Sequence, residues 1–89
     1  MSPDFVPKLA PKARLRFDRH SGKHMIVYPE RGLALNDSAA AIVQRCDGTR
    51  TLREIAREIA ALESAEHDVV ERDVIELLDD LARKGLLEP

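Results

Sequence analysis

Cys46 is the sole cysteine among the 89 residues, so an intrachain disulfide is excluded. A small domain without a disulfide framework is expected in a reducing compartment, with the cytoplasm as default. No run of about 18 apolar residues is present, so neither a membrane-crossing helix nor a membrane partner is expected. Met1 to Pro11 lacks the apolar h-region of a secretory signal. No glycine-rich phosphate loop occurs. His20, His24 and His67 have no Cys or His partner at ligand spacing, and no metal site is expected. Cys46 falls on an apolar helical face, where a thiol acts as a small hydrophobe. Asp79-Asp80 and Glu71 with Asp73 lie on an exposed helix face and read as solvated surface. A chain this short has a thin core and little room for a substrate pocket. An enzyme is not expected, nor is a cofactor.

What is present is charge, unevenly spread. Residues 1–35 hold seven Lys/Arg against three acids, a net of +4, while residues 36–89 are at −6. The molecule is bipolar, with a basic front half and an acidic back half.

Pro3, Pro7 and Pro11 punctuate the start, so residues 1–12 are predicted to form an extended, partly mobile arm. Residues 13–89 read as one domain. Arg14 to Asp18 alternates, with Leu15 and Phe17 on one face, as in a half-buried strand. His20-Ser21-Gly22-Lys23 is a turn. His24 to Tyr28 is a second strand, Pro29 to Gly32 turns again, and Leu33-Ala34-Leu35 makes a short third. Strands this close pair as an antiparallel meander.

The period changes at Asn36, which with Asp37 is a good N-cap. Ala39, Ile42, Val43 and Cys46 repeat at i, i+3, i+4, i+7, giving a first helix stopped by Asp47-Gly48. Thr51 and Glu54 fit a capping box for a second helix, built on Leu52, Ile55, Ala56 and Ile59 and ending near Leu62. Ser64 is the expected cap of a third helix, about His67 to Lys84, whose stripe is Val70, Val74, Leu77, Leu78 and Leu81. The predicted fold is α+β and winged-helix-like, a three-stranded antiparallel sheet followed by three helices.

Such a fold invites a DNA-binding reading. Recognition helices face phosphates and carry Lys and Arg. From Glu66 to Lys84 this chain has seven acids against three bases. Arg50, Arg53 and Arg57 of the second helix are interleaved by Glu54 and Glu58, and intrahelical pairing accounts for them. Nucleic acid is therefore not the expected partner, and a DNA-binding regulator is the competing reading. The favoured use is protein recognition. A short third strand at a sheet edge offers unpaired N–H and C=O groups to an added peptide strand. Val70, Val74 and Leu77 would accept its apolar side chains, unless that stripe is simply core. The acids of the third helix, Glu71, Glu76 and Asp80 among them, would face a basic surface of peptide or enzyme.

Tyr28-Pro29-Glu30-Arg31-Gly32, then Leu35-Asn36, then Cys46-Asp47-Gly48 with Thr51 and Ile55, then Asp73-Val74, resemble the PqqD family in order and spacing. The likeness runs from about Pro7 to Leu87. It implies a peptide chaperone of pyrroloquinoline quinone (PQQ) biosynthesis, which binds the ribosomally made precursor PqqA and presents it to the radical SAM enzyme PqqE. Related domains serve as recognition elements for other ribosomally made peptides, so a different peptide is an alternative. The resemblance places the peptide between third strand and third helix. Carried onto this sequence, the site is Arg31, Gly32, Leu33, Ala34 and Leu35 with Val70, Asp73, Val74 and Leu77. It also implies that the iron–sulfur cluster and S-adenosylmethionine belong to the partner enzyme. Monomer and domain-swapped homodimer both stay open.

Overall fold

A computed structural model describes residues 1–29 and 31–88, with Arg31 described in its backbone. Glu30 of the expected second turn and Pro89 of the expected domain lie outside the described residues. The chain forms β1 (Arg14–Asp18), β2 (Lys23–Tyr28), β3 (Arg31–Ala34), α1 (Asp37–Gln44), α2 (Leu52–Glu63) and α3 (His67–Arg83). The sheet is antiparallel in the order β1-β2-β3. This is the expected α+β order of three strands and then three helices. The winged-helix-like description fits only loosely.

The β1–β2 turn is organised by Asp18. Its carboxylate accepts from Ser21 Oγ at 2.9 Å and from the His20 N–H at 3.1 Å. These two bonds hold its pKa below the ordinary carboxylate value. Gly22 closes the turn at φ +71°, a region that L side chains rarely enter.

In register, Leu15, Ile26 and Leu33 stand side by side and share the face toward the helices. Ile26 on the central strand is fully buried. Phe17 departs from the expected pattern and is 51% exposed. It lies at the turn end of the sheet, where its ring meets His24 edge-on at 5.0 Å.

Asn36 caps α1, its Oδ1 accepting from the Ala39 N–H at 2.7 Å. The helix ends at Gln44, so Cys46 lies just past it, yet buried. Thr51 and Glu54 form the capping box of α2, each side chain accepting from the other's backbone N–H at 3.1 and 2.8 Å. That bond holds the exposed Glu54 carboxyl below its ordinary pKa. The other orphan donors of the first turn find carbonyls far away in sequence. Leu52 N–H donates to Phe5 O at 2.7 Å and Arg53 N–H to Pro3 O at 3.0 Å.

One expectation is corrected here. Ser64 does not cap α3; it is the C-cap of α2, in the left-handed region at φ 53°, and Glu66 precedes α3 without a side-chain cap. The segment 1–12 lies docked on the rest of the domain. Lys8 bridges Asp47 and Leu9 bridges Leu87. Pro7 is fully buried, and its carbonyl accepts from the Gly48 N–H at 3.1 Å. Prolines have no N–H to satisfy, and the carbonyls of Pro3, Phe5 and Pro7 serve donors that would otherwise be orphaned.

At the other end α3 closes in a Schellman motif. Leu86 N–H reaches Leu81 O at 2.9 Å, Gly85 N–H reaches Ala82 O at 3.0 Å, and Gly85 takes φ +73°. Leu86 and Leu87 thereby fold back into the core. That core joins the sheet to the helices through Ile26, Leu52, Ile55, Ile59, Val74, Leu78 and Leu81. No helix among the described residues is long and apolar enough to cross a membrane.

Burial pushes the Cys46 thiol up to about 12, with the neighbouring Asp47 charge adding to the rise. A raised folded pKa gives stability that is whole below the ordinary value of 9.0 and is lost as pH rises through about 12. At pH 8 a disulfide exchange reagent is expected to label Cys46 only as fast as the domain opens, whereas the urea-unfolded chain reacts at once. Rapid labelling of the native protein would show the thiol to be accessible and reactive.

Candidate functional site

β3 stands at one end of the β1-β2-β3 order, so its second edge has no partner strand among the described residues. The ladder phase fixes what that edge presents. Leu35 N–H donates to His24 O at 2.9 Å, which makes His24 and Leu35 a hydrogen-bonded pair. Such pairs alternate, so Ile26 with Leu33 and Tyr28 with Arg31 are hydrogen-bonded too. The intervening residues, Gly32 and Ala34, turn their N–H and C=O groups away from β2. Both are exposed. Gly32 also leaves space for its neighbour, since a Cβ there would meet Met25 Cε at 2.6 Å.

The side chains of this stretch behave differently. Leu33 is half-buried against the core, and Leu35, one residue past β3, is 5% exposed. Arg31 stands opposite Tyr28, with its side chain outside the described residues. The strand therefore offers backbone more than side chain.

Beyond Ala34 lie two hollows. Lys23, Ala34, Leu35, Asn36 and Asp37 line one of about 320 Å³. The second, about 520 Å³, lies between α1 and α3 and is lined by Asn36, Ser38, Ala39, Ile42, Asp73, Glu76, Leu77 and Asp80. They share Asn36, so the open edge runs into the interhelical hollow.

Of the four α3 residues expected at the site, Asp73 and Leu77 reach this hollow. Val70 and Val74 are 3% and 0% exposed and pack inward with Leu78 and Leu81. Sequence reasoning did not place Asn36, Ser38, Ala39 or Ile42 at the site, and it gave Glu76 and Asp80 only as part of an acidic face toward a basic surface of peptide or enzyme. A signal for four of the lining residues was there: Asp73, Glu76, Leu77 and Asp80 recur at i, i+3, i+4, i+7.

Two of the three arginines named for α2, Arg50 and Arg53, are engaged elsewhere. Glu58 takes Arg45 Nε at 2.9 Å and Arg50 Nε at 3.0 Å, and Arg50 also reaches Asp47 at 2.6 Å. Arg53 pairs with Asp4 at 3.6 Å. The expected intrahelical pairing is thus pairing between elements, which leaves less of a cationic stripe for a nucleic-acid backbone.

The class this geometry defines is a small α+β domain in which the open edge of β3 leads into a helix-lined hollow. Residues 23–87 match the family described as Coenzyme PQQ synthesis protein D (PqqD), and the chain belongs to that family. It is 44% identical over 81 residues to the PqqA binding protein of Xanthomonas euvesicatoria pv. vesicatoria, covering 91% of this chain and 88% of that one. It is 37% identical over 83 residues to the bifunctional coenzyme PQQ synthesis protein C/D of Methylorubrum extorquens, covering 93% of this chain and 22% of the longer protein. Among solved structures it is similar to the solution structure of the PqqD truncation of Methylobacterium extorquens PqqCD, described as a functional, stand-alone RiPP recognition element. That match has a TM-score of 0.86 at 36% identity and covers 99% of this chain and 94% of the other. These relatives are named for binding, recognition or PQQ synthesis, in line with the non-enzymatic role expected of this domain.

Proposed function

We propose that this chain is a peptide chaperone of PQQ biosynthesis, working in the cytoplasm. It binds PqqA as a fourth strand on β3 and presents it to PqqE. The observation that carries the reading is the outward-facing backbone of Gly32 and Ala34 beside the hollow. Arg31 to Leu35 form the strand side of the site, and Asp73 and Leu77 the helix side. The name of the Xanthomonas relative supports the choice of peptide.

Magnitudes divide the work. Micromolar binding corresponds to about 8 kcal/mol. A net hydrogen bond gives about 0.5–1.5 kcal/mol, so the two N–H and two C=O groups at this edge supply only part of that. The hollow must supply the rest through side chains of the peptide.

Titration of unlabelled PqqA into ¹⁵N-labelled protein tests the reading by NMR. Amide shifts are expected at Gly32, Ala34, Asn36, Ala39 and Leu77. Shifts confined to β1 and the outer face of α2 would refute it. Cross-linked peptide formation by PqqE is expected to depend on the presence of this chain.

A further inference from the structure

The hollow between α1 and α3 has a makeup that strand pairing does not require. Its apolar surface comes from Ala39, Ile42 and Leu77, and its acids are Asp73, Glu76 and Asp80. The acids lie at i, i+3 and i+7 of one helix, where like charges repel. Lys84 Nζ offsets one of them, meeting Asp80 at 2.5 Å. Asp73 and Glu76 make no ion pair among the described residues. Nor does α1 need these acids as caps. Asn36 already accepts from the Ala39 N–H through Oδ1 and from the Ala40 N–H through its carbonyl. A hollow that is part apolar and part carboxylate, continuous with a strand edge through Asn36, fits one kind of side chain.

We propose that this hollow is a cation-accepting specificity pocket for the bound peptide. It takes a Lys or Arg side chain just beyond the strand-paired segment. The methylene stem lies on Ala39, Ile42 and Leu77, and the charged head meets Asp73 and Glu76. The same carboxylates reject peptides that carry an acid at that position. This inference rests on strand addition at β3.

The test is fluorescence anisotropy with labelled PqqA peptide at low salt, and with versions in which each Lys or Arg is replaced singly by norleucine. Asp73→Asn with Glu76→Gln is expected to weaken binding about tenfold, a loss that shrinks as salt rises. One norleucine peptide is expected to lose the same factor and to be indifferent to that protein variant. Asp68→Asn with Asp79→Asn, the same two-charge change on α3 outside the hollow, is expected to be silent. Equal weakening by this pair would overturn the pocket in favour of a diffuse field. Binding that falls with Ala34→Pro but ignores both the Asp73/Glu76 variant and every norleucine peptide would overturn the pocket and leave strand pairing standing. Absence of PqqA binding by the parent chain would overturn both.

Discussion

Ala34→Pro is expected to weaken PqqA binding by about 5- to 150-fold while leaving the domain folded. The parent ladder does not use the Ala34 N–H, because the β2-facing donors of this stretch belong to Arg31, Leu33 and Leu35. Proline is tolerated on an edge strand whose N–H faces solvent. In the complex, however, the substitution removes a donor and leaves a peptide carbonyl facing a pyrrolidine ring. An unsatisfied group of that kind costs about 1–3 kcal/mol, which sets the fold-change. Circular dichroism confirms folding, and anisotropy with labelled peptide reads the affinity. A folded variant with parental affinity would sink strand addition. The same substitution at Leu35 is a contrast, since its N–H bonds His24 O at 2.9 Å and the sheet itself would suffer.

Leu78→Ala is expected to cost about 2–5 kcal/mol of stability. Leu78 is fully buried on α3, within the core that joins α2 to the sheet. A chain of this length has only about 4–13 kcal/mol in total, so a large share of it goes. For a domain of this size each kcal/mol moves Tm by about 4–8 °C, and a fall of at least about 8 °C should be seen by thermal melting. Leu62→Ala provides the comparison, because Leu62 is 63% exposed. It should change stability by less than about 0.5 kcal/mol. A loss at Leu78 no larger than that at Leu62 would show that the core does not depend on this side chain.

Element boundaries were largely legible, because strand alternation and helix capping are local signals. β1 and α2 came straight from Leu15 with its polar neighbours and from Thr51 with Glu54. The site was legible only in part. On a helix Val74 and Leu77 are separated by about 60° around the axis. Periodicity therefore groups them on one stripe, whereas the packing of α2 and the sheet against α3 buries the first and leaves the second beside the hollow. Phe17 shows the same limit, since alternation gives a face but not where the sheet ends. Ser64 has the chemistry of an N-cap, yet the chain needed a left-handed residue to end α2. The docking of the arm was not legible, for a different reason. Its prolines say what it cannot form, but the partners of its carbonyls lie more than 40 residues away, at Gly48, Leu52 and Arg53.

The docked arm carries a consequence for how this domain can be built into larger proteins. Leu9 bridges Leu87, and the Glu88 N–H meets Lys8 O at 2.8 Å, so the last residues of the fold are fastened to the arm. Neither contact involves β3 or a residue lining the acidic hollow. A polypeptide joined after Glu88 would therefore leave the domain beside the arm, at a place that uses none of the β3 backbone. The arm is thus a latch on the end of the fold, and the open edge of β3 stays clear of it.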